Sequence, residues 1–252
     1  MTELVDRIIC AASEAFKNDG EVLVTGIGLI PRLAASLAML TSNKELLMTD
    51  SEAYVVSEPV PVGPRGNYEI KAEQWMGFSR IFDVVWSGKR HAMVGPSQLD
   101  KFGQANISVI TGDYAKPKVQ MLGARGYPGN SISHPNSFFV PQHSTKVFVE
   151  GEVNMVNTIG YNPARLPKGY TLNDIDIRWV VTNLCILDFS GPNKQMSIRS
   201  LHPGVTAAQV QENTGFPLHI PANIPTTATP TAEQLAIIAK LDPHNTRATA
   251  LG

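Results

Sequence analysis

Apolar positions recur along the first fifty residues with two rhythms. Residues 3–17 place Leu4, Ile8, Ala11, Ala12, Ala15 and Phe16 at helical spacing, which gives a helix one buried stripe. Asn18-Asp19-Gly20 ends that helix, with glycine at the left-handed cap. Val22-Leu23-Val24 is a short continuous apolar run, as expected of a central strand covered on both faces. A second helix over residues 30–40 opens near Pro31, and Leu46-Leu47-Met48 reads as a second buried strand. Helix, strand, helix, strand in this order predicts a parallel sheet with crossover connections.

Further along the rhythm is less regular. Residues 57–75 read as irregular, with prolines and glycines crowded between Pro59 and Gly66. Ile81 to Trp86 and His91 to Val94 predict a helix or loop followed by a strand. An apolar strand from Val119 runs into a glycine-rich loop, and the polar stretch from Ser131 to His143, with Pro135 and Pro141, predicts more loop. Lys146–Val149, Asp176–Val181 and Cys185–Phe189 read as later strands, and the alternation from Met196 to Leu201 as an antiparallel edge strand. Thr206 caps a short helix over 207–213. Four prolines between Pro217 and Thr231 make an extended arm, and Thr231 caps a last helix, Ala232 to Leu241, with Glu233 and Gln234 in its first turn. The expected fold is α/β: an open, mostly parallel sheet with helices on both faces and antiparallel edge strands. It is expected as a single domain over 1–252, with 217–252 an arm and terminal helix that either wraps a partner or covers its own chain.

Composition narrows the function classes. A chain of 252 residues with 43% hydrophobic content can bury a sizeable core. A net charge of −1 leaves no electrostatic footprint for nucleic acid or an anionic membrane. No run of eighteen apolar residues predicts a membrane span, and the acidic, amphipathic start from Met1 to Asp6 is unlike a secretory signal. Cys10 and Cys185 lie far apart and read as buried small hydrophobes, as a disulfide or as a reactive group; two such cysteines fit a reducing cytoplasm best. No histidine pair has metal-ligand spacing and no Cys-x-x-Cys occurs, so no metal site is expected.

Several segments offer chemistry. The run Leu122-Gly123-Ala124-Arg125-Gly126-Tyr127-Pro128-Gly129-Asn130 holds three glycines, an arginine and an asparagine. Glycines let backbone N–H groups approach a ligand, and such a loop can present donors to a developing oxyanion; it can equally be a tight turn from strand to helix. Glu52 follows a buried strand at its carboxyl end, where open α/β sheets place ligands, with Asp50 and Glu58 close by in sequence. Gly26-x-Gly28 precedes a helix, but Pro31 stands where the dinucleotide fingerprint needs its third glycine, so an NAD site is not expected, whereas an anion such as a CoA phosphate at the helix start remains open. Asp100-Lys101-Phe102-Gly103 reads as a turn with Gly103 at the tight position. His134 and His143 are candidates for a proton shuttle or for structural roles.

These segments, taken in order, resemble the β subunits of class I coenzyme A transferases. The opening Glu21-Val22-Leu23-Val24-Thr25-Gly26-Ile27-Gly28, the stretch Gln98 to Asn106, Lys116-Pro117, the glycine-rich run, Val181 to Cys185, Leu201 to Thr206, Thr214-Gly215-Phe216 and Leu241-Asp242-Pro243 carry the resemblance. It implies the CoA-transferase fold and, at Glu52, the family's nucleophilic glutamate, whose carboxylate attacks an acyl-CoA thioester. The family writes Ser-Glu-Asn-Gly at this place; this chain writes Ser51-Glu52-Ala53-Tyr54, so a bulky Tyr54 replaces the glycine beside the carboxylate. That departure, with Gly123-Ala124-Arg125-Gly126, resembles a subgroup, the β subunits of steroid ring-cleaving hydrolases of actinobacteria. The subgroup adds water across a C–C bond next to a ketone in a CoA-linked ring intermediate. Its main acid/base glutamate is implied to lie on the α chain, in an αβ heteromer expected as α2β2, with no separate cofactor because CoA is part of the substrate. The resemblance then implies Arg125 and Glu52 as catalytic residues and Gly126, Gly129, Asn130 and Tyr54 as substrate-binding ones. Arg125 would hold a developing enolate oxygen or a substrate carboxylate with its guanidinium fork. The alternatives are a true transferase using Glu52 and a non-catalytic partner chain.

Overall fold

The computed structural model describes residues 2–50, 53–111, 113–121, 123–124 and 126–251. The chain forms two compact units, one from residues 1–94 with 228–252, the other from 95–227. In the first unit, α1 (Thr2–Ser13) is followed by β1 (Leu23–Gly26), α2 (Leu29–Leu40), β2 (Leu47–Asp50), β3 (Tyr54–Val56), β4 (Ala72–Trp75), α3 (Gly77–Trp86) and β5 (Arg90–Val94). β5, β1 and β2 lie parallel, Leu23 facing both Arg90 and Leu47. β3 and β4 continue the sheet antiparallel. The alternation read from sequence is therefore present. The stretch expected to be irregular ends instead in β4, whose four residues are all exposed and show no apolar alternation; its backbone pairing with β3 makes the strand.

Neighbouring side chains on a strand point to opposite faces, which locates the helices. Met48 accepts a hydrogen bond from Ser36 of α2, so its face carries α2. Leu47 lines a cleft with Met76, Arg80 and Val84, so the opposite face carries α3. α1 lies against α2 with Ile8, Ile9 and Phe16 fully buried. The C-terminal helix Ala232–Leu241, capped by Thr231 and Gln234 in a reciprocal box, packs against α1 and α2. Beyond it, Arg247 is buried and donates to Asp6 of α1 at 2.6 Å and to Asp242 at 3.0 Å. The tail is thus fastened to the chain's own first helix.

The second unit opens with two short ribbons, β6 (Gln98–Leu99) with β7 (Ala105–Asn106) and β8 (Val109–Ile110) with β9 (Val119–Gln120). After α4 (Tyr127–Ser133) come β10 (Asn136–Val140), β11 (Ile177–Thr182), β12 (Cys185–Asp188) and β13 (Ser197–Leu201), then α5 (Ala207–Glu212). β10 and β11 are parallel; β12 and β13 add on antiparallel, as the alternation in β13 predicts. The proline-rich arm runs beside β13: Ile198 N–H donates to His219 O and Leu201 N–H to Pro225 O. The arm covers an edge of its own chain, which an open sheet otherwise exposes.

Two expectations are corrected here. Ser131 to His143 is not a loop: it holds the end of α4 and the fully buried β10. Asn136 and Ser137 look polar in sequence yet are buried, and the Asn136 amide donates to Asn130 O and His134 O. Residues 146–149 form no strand but a single bridge, Phe148 to Leu99. Among the described residues, no helix is long and apolar enough to cross a membrane.

Candidate active site

Glu52 and Arg125, the two residues expected to carry catalysis, lie outside the described residues, so the site is built from their surroundings. In the first unit, β1 ends in Gly26-Ile27-Gly28 and turns directly into α2. A Cβ on Gly26 would sit 2.4 Å from the carbonyl of Pro31, so only glycine lets strand and helix approach this closely. The turn sets Arg32 in the first turn of α2. Its guanidinium donates to Asp50, the last residue of β2. Arg65, from the proline- and glycine-rich stretch, grips the same carboxylate with two bonds, 2.7 and 3.0 Å. Asp50 is 2% exposed at its side chain, against 24% for Arg32 and 36% for Arg65. A carboxylate removed from water needs such charge-assisted bonds, and here two cations serve one anion.

This clamp lies immediately before Ser51 and Glu52 in the chain. After them Ala53 takes φ +68°, a left-handed conformation uncommon outside glycine, and its carbonyl accepts the N–H of Met76 at 3.0 Å. Tyr54 begins β3, pairs with Trp75 and is 39% exposed. The described residues on either side of Ser51 and Glu52 are therefore held, Asp50 by the two arginines and Ala53 by the start of α3. In the sequence Asp50 stands out only as a neighbour of Glu52. Arg32 and Arg65 were missed, because partners 18 and 15 residues away from Asp50 leave no periodic signal.

The glycine-rich run lies in the second unit and differs from expectation. The strand before it, β9, is two exposed residues paired only with β8, not a buried apolar strand. Gly123 has φ +91°. The run then enters α4, so Gly129 and Asn130 are helical residues and not loop donors. Asn130 N–H is used inside the helix, bonded to Gly126 O at 3.2 Å, while Gly126 stands at the exposed helix start. Gly126, Gly129 and Asn130 are thus brought together on one helix. Tyr127 between them is buried, and burial pushes its phenol well above its ordinary pKa.

The remaining candidates are structural in character. His143 is held between Thr182 and Thr214 and stacked on Phe148, and burial lowers its pKa to about 4, so it is neutral at physiological pH. His134 is buried and donates through Nδ1 to Pro135 O. Asp100 takes backbone N–H groups of Phe102 and Gln104 on Oδ1 while Gly103 turns at φ +74°, as the sequence predicts; burial raises its pKa to about 6. Cys10 and Cys185 are free, buried and pushed up to about 12 by burial, so both are inert thiols.

The fold and this arrangement define a CoA-transferase-fold protein of the β type. The structure of IpdAB from Rhodococcus jostii RHA1 superposes with a TM-score of 0.89 at 36% identity, covering 97% of this chain and 96% of that one. The cholesterol ring-cleaving hydrolase IpdB subunit of Rhodococcus jostii (strain RHA1) is 38% identical over 98% of this chain and 96% of its own length. The B-type subunit of the 3-oxoadipate CoA-transferase of Pseudomonas knackmussii is 31% identical over 94% of this chain and 92% of its own. No family model matches the chain. The chain belongs to the family of cholesterol ring-cleaving hydrolase IpdB subunits, within the wider group of B-type subunits of CoA transferases.

Proposed function

We propose that this chain is the β subunit of a heteromeric hydrolase that opens a carbon ring in a CoA-thioester intermediate of steroid (cholesterol) degradation. The observation that carries this reading is the end-to-end identity of 38% to a ring-cleaving hydrolase subunit, against 31% to a transferase subunit. The chemistry is the addition of water to a ring ketone. The water oxygen bonds to the carbonyl carbon, the adjacent C–C bond breaks, and its electron pair moves onto a neighbouring carbonyl as an enolate. A proton returned to carbon completes the step, giving a carboxylic acid and an opened ring.

In this scheme Arg125 holds the enolate oxygen or a substrate carboxylate, and the acid/base group that activates water comes from the α subunit. Glu52 contributes pocket charge and not a covalent intermediate, because Ala53-Tyr54 stands where the transferases carry Asn-Gly. Gly126, Gly129, Asn130 and Tyr54 line the substrate. CoA arrives with the substrate, so no cofactor of the chain's own is required, and a CoA-thioester substrate fits a cytoplasmic enzyme. The assembly is α2β2.

The test is to co-purify the chain with the α-type chain of the same organism and supply a ring-bearing steroid acyl-CoA with and without an acceptor acid. The expected result is a product heavier by one water, formed without acceptor, and no enzyme–CoA thioester on mass spectrometry. CoA transfer to the acceptor through a thioester at Glu52 would establish the transferase reading instead. Full turnover by the β chain alone would overturn the division of labour.

A further inference from the structure

In the first unit the two faces of the sheet are covered unequally. α1, α2 and the C-terminal helix pack on the Met48 face, whereas among the described residues of this unit α3 is the helix beside the Leu47 face. That cover is thin. A cleft of about 390 Å³ remains between α3 and the sheet, and Leu47 at its floor is 36% exposed. Parallel strands are normally buried on both faces, so a single helix is an incomplete layer.

α3 itself is apolar around most of its circumference. Gly77 and Val85 are buried, and Val84 lines the cleft. On the outside, Phe78, Phe82 and Trp86 recur at every fourth position and are 66%, 58% and 67% exposed. Trp75, whose ring lies beside Gly77, adds a fourth aromatic at 59%. A helix that is hydrophobic on both sides belongs inside a protein or an assembly. Aromatic side chains present roughly 150–250 Å² each when uncovered, so these four leave on the order of 500 Å² of aromatic surface. That is the size of the largest apolar patches on monomers, which are often functional, and supplies more than half of the roughly 800 Å² that each partner of a standard interface contributes.

We propose that this face, Trp75-Phe78-Phe82-Trp86 on β4 and α3, is where the α subunit docks. The proposal rests on the heteromeric reading above and deepens it. Continuity selects the α chain over a second copy of this one. The N–H of Met76, at the start of α3, bonds the carbonyl of Ala53, so the aromatic surface begins at the turn that follows Glu52. If the α subunit completes the chemistry at that turn, it must cover the adjoining surface. β4, the exposed outer strand of this part of the sheet, offers backbone groups to the same partner.

The experiment measures α–β association without substrate, by native mass spectrometry and sedimentation, for the wild type, Phe82→Glu, Trp86→Glu and a control, Leu235→Glu, on the outer side of the C-terminal helix where Leu235 is 40% exposed. The two α3 variants are expected to bind the α chain on the order of 100-fold more weakly, as loss of buried aromatic anchors does, and the control to bind as wild type. Hydrogen exchange of the wild-type chain is expected to slow over residues 77–86 when the α chain is added, a readout that needs no variant to fold. Unchanged α binding by both variants, or unchanged exchange over 77–86, overturns the proposal. Loss of β–β association with α binding intact assigns the face to a second copy and overturns it too. A complex that assembles through this face but opens no ring sinks the proposed reaction and leaves the docking surface standing.

Discussion

Asp50→Asn isolates what the double clamp does. The substitution keeps the size of the side chain, removes its charge and turns one acceptor oxygen into a donor. Two guanidinium groups that shared a carboxylate then share one amide oxygen, and an NH₂ faces N–H donors. Removing one partner of a buried ion pair typically costs about 3–5 kcal/mol. Here the arginines are 24% and 36% exposed and regain some water, so about 2 kcal/mol is expected. For a chain of this size that is roughly a 4–8 °C drop in melting temperature. The clamp also anchors the strand that leads into Ser51 and Glu52, and a displacement of about 1 Å at a reacting group can cost on the order of 10²-fold in rate. The assay is calorimetry of the assembled heteromer together with steady-state kinetics. Asp50→Asn is expected to melt several degrees lower and to lose at least tenfold in kcat/KM. Arg65→Lys should lie between it and wild type, since an ammonium keeps the charge but not the two-bond fork. If Asp50→Asn melts within a degree of wild type and turns over normally, the clamp neither stabilises the chain nor holds the turn.

Three further outcomes are expected. Arg125→Ala should lower kcat/KM by about 10²-fold or more while assembly stays intact, and Arg125→Lys should not restore full activity; unaltered kinetics would make the residue structural. Glu52→Gln should retain measurable turnover, roughly tenfold reduced, since in the proposed reaction no covalent bond to CoA depends on it; detection of a glutamyl thioester in the wild type contradicts this. His143 has its folded pKa lowered from 6.5 to about 4, so it contributes stability above pH 6.5 that is lost as pH falls toward 4. Asp100, raised from 3.8 to about 6, acts in the opposite sense, with stability lost as pH rises from 3.8 through 6. Subtracting the stability–pH curve of His143→Gln from that of wild type should leave a difference that shrinks on acidification between pH 6.5 and 4, and a flat difference would refute the assignment.

Much of the first unit is legible in the sequence because its signals are local. α1, β1, α2 and β2 follow from apolar spacing, and the C-terminal helix from Thr231 and Gln234, whose side chain and backbone bonds close the box. The misreadings share one physical cause: the determining partner is distant. β10 is hidden by Asn136 and Ser137, which are polar by type yet buried, and its strand partner β11 lies far along the chain, Phe138 facing Val180. β4 has no apolar alternation because it is exposed throughout, and only its pairing with β3 makes it a strand. Val147 and Val149 look like strand residues in the sequence, but the partner that their backbones share is Leu99 alone. The same holds for the site. Glu52 and the glycine-rich run stand out by motif, whereas the Arg32–Asp50–Arg65 clamp joins three segments with no common pattern.

The turn that follows Glu52 separates the two kinds of chemistry open to this fold. Ala53 takes the left-handed conformation at φ +68°, which costs a residue with a Cβ roughly 1–2 kcal/mol. The transferase motif places Asn here, a residue that tolerates that conformation. The chain thus keeps a backbone course suited to asparagine while carrying alanine, and such strain persists only where the surroundings enforce it. Those surroundings are the Asp50 clamp before the turn and the Ala53–Met76 bond after it. The other departure is Tyr54, which stands where the transferase motif has glycine and is 39% exposed. The proposed role for Glu52 is therefore to shape the field around a substrate and not to receive the acyl group itself. On the proposed reading, the single side chain at position 54 removes the covalent step, and water is activated by a group on the other subunit.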